Sequence, residues 1–112
     1  MSHEELTLTI DSTADTATVH CTGKLILTTA SSLRREVKGL LPHMRVVTID
    51  LTGVTMMDSV GLGMIAALYA SARTAGRELH LVNVSPRIRE MFSVTRVLSL
   101  FEPVGAGNVR MP

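Results

Sequence analysis

The chain has 112 residues, of which 46% are hydrophobic and 19% charged, and its formal net charge is +1. These values suit one globular domain and exclude a disordered tail. Acidic residues are interspersed with the basic ones and aromatic residues make up 3%, which excludes a dedicated nucleic-acid surface with its stacking platforms.

The first residues, "MSHEELTLTI", lack the basic and apolar regions of a signal peptide, and no apolar run reaches the ~20 residues that span a bilayer. Cys21 is the single cysteine, which excludes an internal disulfide and suits a reducing compartment. We therefore predict a cytoplasmic protein that makes no membrane contact. The histidines have no metal-ligand spacing, and neither a dinucleotide fingerprint nor a phosphate-loop motif is present, so neither a metal nor a cofactor is predicted.

The pattern of the N-terminal region predicts two strands. "LTLTI" (6–10) alternates apolar and polar residues, "DSTADT" (11–16) has the composition of a turn, and "ATVHCTGKLIL" (17–27) alternates again. We predict an antiparallel hairpin in which Gly23 either bends or bulges the second strand. Val19 and Cys21 share one face of that strand, so the thiol is expected to be buried.

The next segment predicts a helix and a central strand. Thr28, Thr29, Ser31 and Ser32 are candidate N-caps for "ASSLRREVKGLLP", whose leucines recur at helical spacing until Pro42 stops the helix. "RVVTIDL" (45–51) is β-branched and apolar, as expected of a strand covered on both faces.

The remaining elements follow the same alternation. Residues 59–75 predict a helix that ends with Gly76 at C′, and "ELHLVNV" (78–84) predicts a strand. Ser85 and Pro86 begin a short third helix. "VLSLF" (97–101) fits either an edge strand or a helical turn, and 103–112 is expected to be a loosely held tail.

The element order predicts an α/β fold with one domain over 1–112 and a core at about 5–102. Strands joined through helices are expected to lie parallel, whereas the N-terminal hairpin is antiparallel. The central sheet is therefore predicted to be mixed and packed with helices.

The segment "MMDSVGLGMIAAL" (56–68) carries the main functional signal. Asp58 and Ser59 lie where a helix begins. This position suits a simple N-cap, and it also suits a serine whose modification adds negative charge and thereby controls binding. Gly61 and Gly63 remove side-chain bulk and permit a close approach. Both interpretations stay open on these residues.

The helix that follows has no charged residue between 59 and 72. At 100° per residue, a stripe of Gly61, Ile65, Leu68 and Ala72 faces the sheet, and the opposite side is apolar as well. Either the helix is buried all round, which is difficult in so small a domain, or its outer side is a docking face for another protein. Methionines, frequent at 56, 57 and 64, fit an adaptable contact surface.

The segment "VVTIDLTGVTMMDSVGLGMIAAL" resembles the central signature of STAS-domain anti-sigma factor antagonists of bacteria. In that family an apolar–acidic–apolar triplet ends a strand, and an Asp-Ser-Ser/Thr-Gly-Leu-Gly motif opens a helix. Matching features run from "CTGKL" near residue 21 to residue 101.

The resemblance implies a non-catalytic protein that binds an anti-sigma factor of histidine-kinase-like ATPase fold and frees the sigma factor. That partner would also act as a serine kinase on Ser59, releasing the antagonist, and a metal-dependent phosphatase would reset it. The predicted phosphosite neighbours are Asp58, Val60 and Gly61. The predicted docking residues are Ile26, Leu27, Met56, Met57, Leu62, Gly63, Ala66, Tyr69 and Arg73.

Two positions depart from the family pattern. Ile26 stands where antagonists usually carry an Asp near the phosphorylated serine, and Val60 replaces the usual Ser or Thr. Because of the first departure, a second functional class remains possible on the sequence: a STAS subunit that docks on another ATPase, such as that of a lipid transporter, and is not phosphorylated. A small-ligand or nucleotide-binding domain, or an enzyme, is the third class.

Overall fold

The computed structural model describes residues 5–95, 102–103 and 109–110, in which strands and helices alternate as the sequence predicts. The fold is α/β, with a mixed sheet packed with helices, as predicted. In chain order its elements are β1 (Leu6–Ser12), β2 (Thr16–Leu25), α1 (Ala30–Leu40), β3 (Val46–Met57), α2 (Ser59–Thr74), β4 (Glu78–Val82), α3 (Pro86–Thr95), β5 (Glu102–Pro103) and β6 (Val109–Arg110).

The sheet has the strand order β1-β2-β3-β4-β6-β5. β1 and β2 form the predicted antiparallel hairpin, whereas β2, β3 and β4 lie parallel. β6 runs antiparallel to β4 and pairs with β5, so part of the segment that was expected to be a loose tail joins the sheet edge. The ambiguous stretch 97–101 lies outside the described residues.

The core forms where α1 and α2, packed against each other, cover one face of the sheet. Alternate residues of the strands are buried on that face, among them Val19, Cys21 and Ile49. Burial raises the pKa of the Cys21 thiol to about 12, which agrees with the predicted inert cysteine.

Several local predictions are confirmed. The β2–β3 register shifts between Gly23 and Lys24, where Gly23 has a φ of 113°, in the region that glycine favours. The extra residue at this shift lies in β3, so the bulge is in the strand beside Gly23 and not in β2 itself. Gly76 follows α2 with φ 70°, and the Ser85 hydroxyl accepts a hydrogen bond from the Ile88 N–H. None of the helices in the described part is long and apolar enough to cross a bilayer.

The opposite face of the sheet is polar, with His20 at its centre. Its Nδ1 lies 2.8 Å from the Asp50 carboxylate and its Nε2 lies 2.9 Å from Asp11. Hydrogen bonds to Asp50 and then Asp11 raise the pKa of His20. Partial burial raises the pKa of Asp50, but hydrogen bonds from Asn83, Thr52 and His20 outweigh it and hold that pKa below its usual range.

These shifts predict how stability changes with pH. The contribution of protonated His20 is complete below its unfolded pKa of about 6.5 and is lost as pH rises through the higher folded value. We expect His20→Gln to reduce the decline of unfolding free energy as the pH rises above about 6.5, measured by urea titration at several pH values. Parallel curves for the variant and the parent chain would contradict this assignment.

Candidate functional site

The first turn of α2 is fixed by the carboxylate of Asp58, the last residue before the helix. Asp58 Oδ1 accepts hydrogen bonds from the N–H groups of Val60 (3.0 Å) and Gly61 (2.9 Å). Its other oxygen, Oδ2, accepts one from the N–H of Leu27 at 2.9 Å. Asp58 therefore caps α2 and also ties the β2–α1 loop to the start of that helix.

The charge of Asp58 is stabilised by these bonds. Its pKa is lowered, chiefly by the hydrogen bond from the Gly61 N–H and also by those from Leu27 and Val60. The carboxylate thus remains ionised at neutral pH and already uses the N–H groups that a helix end would offer to an anion. This arrangement disfavours a nucleotide phosphate at the start of α2.

Ser59 follows this cap and is exposed. Among the described residues, four large hydrophobic side chains are exposed. Met56 and Val60 lie within three positions of Ser59 in the chain, and the Leu27 N–H donates to the adjacent Asp58. Leu27 is 68% exposed, Met56 49% and Val60 39%. We call the patch formed by Leu27, Met56, Ser59, Val60 and Gly63 the Ser59 surface.

The loop that presents Leu27 is held by a buried threonine. The Thr29 hydroxyl donates to the Lys24 carbonyl at 2.7 Å and accepts from the Ile26 N–H at 2.9 Å. Its side chain does not cap α1, although Thr29 occupies the N-cap position that the sequence suggested. Ile26 is half-buried, so Leu27 is the more accessible member of the predicted apolar pair.

Three predicted docking residues are instead part of the core. Met57, Leu62 and Tyr69 are buried, with 7%, 2% and 8% of their surfaces exposed. The predicted stripe of Gly61, Ile65, Leu68 and Ala72 is buried as expected, but the buried arc extends further toward Leu62 and Tyr69. Burying large side chains gains more than burying alanine or glycine, so the helix turns its small residues outward.

Between Val60 and Arg73, the exposed residues of α2 are small. Gly63, Ala67 and Ala70 are exposed, whereas Ala66 is half-buried. Arg73 is exposed as predicted, and its guanidinium donates to the Tyr69 hydroxyl at 2.9 Å. Arg73 comes 14 positions after Ser59, or about 20 Å along the helix axis, so it lies outside the Ser59 surface.

The two glycines of the motif have different surroundings. A Cβ at Gly61 would overlap the backbone carbonyl of Leu25, so this glycine permits α2 to begin against the end of β2. A Cβ at Gly63 would meet no atom within 4 Å. Gly61 is therefore needed for packing, whereas Gly63 leaves open space on the Ser59 surface.

A groove beside Met56 was missed in the sequence analysis. It has a volume of about 260 Å³ and lies between the end of β3 and α3, where Val54, Met57, Ile88 and Met91 contribute apolar atoms. Arg87 and Ser85 supply polar groups at this groove. The methionines at 56 and 57 were the available signal, and both line this groove.

Removal of the Asp58 carboxylate is expected to weaken both elements that it joins. We predict that Asp58→Ala lowers the unfolding free energy by about 1–2 kcal/mol, because the cap of α2 is lost. Asp58→Asn retains one acceptor oxygen and should lose less. Urea unfolding of both variants measures the difference, and equal stability of Asp58→Ala and the parent chain would exclude a structural role for this carboxylate.

Known proteins share this architecture. The family model described as "Mlab, STAS domain" (STAS_2) matches residues 8–102. An anti-sigma-B factor antagonist of Listeria monocytogenes is 39% identical over 57 residues, which is 51% of this chain and 50% of that protein. The match thus spans about half the length of that relative.

Solved structures of other proteins have the same fold. An anti-sigma factor antagonist from Mycobacterium paratuberculosis superposes with a TM-score of 0.74 and 22% identity, covering 88% of this chain and 86% of that one. The phosphorylated form of the Bacillus cell fate determinant SpoIIAA gives a TM-score of 0.67 at 17% identity, covering 80% and 83%. Because the family model matches most of the sequence, the chain belongs to the STAS_2 family of STAS domains.

Proposed function

We propose that this protein is an anti-sigma factor antagonist that binds its partner through the Ser59 surface and is released when Ser59 is phosphorylated. The observation that carries the proposal is that Ser59 is exposed at the start of α2, with three exposed hydrophobic residues nearby. Matches to proteins named as anti-sigma factor antagonists support the role, and one similar structure is titled as a phosphorylated form.

The unmodified surface suits a protein partner. Leu27, Met56 and Val60 supply apolar area at the start of α2, and Gly63 leaves room for close approach. Removal of apolar area from water is the main favourable contribution to most protein association, so these side chains are expected to contribute to the affinity. In this scheme the protein is a binding module rather than a catalyst.

Phosphorylation of Ser59 would weaken binding of a protein partner to the Ser59 surface. It adds a charge of about −1.5 to −2 beside Asp58, which is itself ionised. The Val60 and Gly61 N–H groups already bind Asp58 and cannot fully compensate a second anion. The added charge would have to lose water at an apolar interface, and a penalty of about 2.7 kcal/mol already weakens binding a hundredfold.

The partners follow from the same scheme. The proposed target is an anti-sigma factor with a histidine-kinase-like ATPase fold, which also transfers phosphate to Ser59. A metal-dependent serine phosphatase would restore the unmodified protein. Since the sigma factor acts on transcription in the bacterial cytoplasm, we place this cycle there.

Ile26 favours a second candidate. It supplies a half-buried apolar side chain next to Leu27 where an antagonist usually has an acidic residue. A STAS subunit that docks on another ATPase, such as one serving lipid transport, would use the same apolar surface without phosphorylation. The two candidates differ in whether Ser59 changes covalently.

Incubation with a candidate serine kinase and ATP distinguishes them. We expect intact mass spectrometry to detect one added phosphoryl group, mapped to Ser59 and absent from Ser59→Ala. Ser85, which begins α3, provides the matched control, since Ser85→Ala should still accept the group. Capture of the kinase by Ser59→Ala without any modification of the parent chain would favour the docking subunit.

A further inference from the structure

The outer edge of β1 is open along its length in the described part of the structure, because β1 is the first strand of the sheet and pairs only with β2. The Lys24 N–H donates to the Glu5 carbonyl, and the Thr13 N–H donates to the Thr16 carbonyl. Odd-numbered residues of β1 therefore direct their backbone groups toward β2. Even-numbered residues, from Leu6 to Ser12, direct theirs to the open edge.

This edge has little of the usual protection against pairing, since Asp11, the charged residue of β1, is already paired with His20. β1, with the sequence LTLTIDS, contains no lysine or proline, and its register with β2 runs without a bulge. Ile10 is 38% exposed and is the fourth exposed large hydrophobic residue of the described part. Leu8, on the same side of the strand, is half-buried. Both would lose exposed apolar area if another strand joined the edge.

We propose that β1 pairs antiparallel with β1 of a second copy of this chain, about a two-fold axis at Thr9. In that register Leu8 lies opposite Ile10 of the second copy, and Leu6 lies opposite Ser12. Every outward N–H and C=O from Leu6 to Ser12 then has a partner, which joins the two sheets into one.

The side chains of this register are compatible with symmetry. Thr9 meets Thr9 of the second copy, and Asp11 faces a threonine, Thr7, rather than a like charge. The two Asp11 carboxylates lie about 13 Å apart along the strands, and each is paired with its own His20. The interface uses no residue of the Ser59 surface, so a dimer could still bind a partner at each site.

Disulfide trapping tests the register. Residues opposite each other in a non-hydrogen-bonded antiparallel pair have Cα atoms about 4.5 Å apart, within disulfide range. We expect Thr9→Cys to form a cross-linked dimer under mild oxidation. Thr7→Cys, a matched control two residues away, should not link, because its symmetry mate lies about 13 Å distant. The native Cys21 is buried and does not interfere.

Sedimentation of the full chain tests the dimer itself. We expect a concentration-dependent dimer for the parent chain and a monomer for Ile10→Lys, which places a charge on the edge. Ala14→Lys, in the exposed β1–β2 turn, should remain dimeric. Circular dichroism verifies that each variant is folded. A monomeric parent chain, or equal cross-linking of Thr9→Cys and Thr7→Cys, would overturn the proposal.

Discussion

Gly61→Ala is expected to lower the unfolding free energy by about 2–3 kcal/mol, which is a large loss for one methyl group. The new Cβ would overlap the Leu25 carbonyl and approach its Cγ to 3.1 Å. Backbone atoms cannot move aside as a flexible side chain can, so α2 must shift away from β2. That shift would also strain the hydrogen bond from Leu27 to Asp58.

Gly63→Ala is the matched control for this prediction. The same methyl group enters open space there and improves helix propensity, so stability should rise by up to ~1 kcal/mol. Chemical unfolding of both variants gives the comparison. If Gly61→Ala is as stable as Gly63→Ala, the contact between the start of α2 and the end of β2 is not as close as the structure shows.

Leu27→Asp is expected to weaken binding of the proposed anti-sigma partner about a hundredfold, equivalent to about 2.7 kcal/mol. Leu27 is 68% exposed, so its replacement removes apolar contact area and places a charge on the Ser59 surface with little effect on folding. Isothermal titration calorimetry with the purified partner measures the affinity, and thermal unfolding measures the stability.

Ala14→Asp supplies the control for Leu27→Asp. It introduces the same charge at an exposed turn, at the opposite end of β2 from the Ser59 surface. We expect its affinity for the partner to equal that of the parent chain. Equal affinities for Leu27→Asp and the parent chain would remove Leu27 from the docking surface.

Local signals in the sequence were sufficient for the element order and for the start of α2. These signals act within a few residues of the chain. They include the alternation along β1 and β2, and the helix-ending or helix-starting residues Pro42, Gly76, Ser85 and Pro86. Asp58 likewise acts on Val60 and Gly61, its near neighbours in the chain. Such effects are readable because they require no knowledge of tertiary packing.

The outer face of α2 could not be predicted in the same way. Residues 59–72 are almost uniformly apolar, so periodicity gives weak guidance about which arc is buried. Side-chain size was the better signal, since Leu62 and Tyr69 are buried while Ala67 and Ala70 are exposed. The bond from Leu27 to Asp58 spans 31 residues and depends on the parallel pairing of β2 with β3.

The central claim is that negative charge on Ser59 ejects a partner bound to apolar surface around it. Its most direct measurement is the affinity of one anti-sigma partner for three forms of the chain: unmodified, phosphorylated at Ser59, and Ser59→Ala. We predict that the unmodified and Ser59→Ala forms bind within about twofold of each other and that the phosphorylated form binds at least about a hundredfold more weakly. Equal affinity of the phosphorylated and unmodified forms would contradict the account.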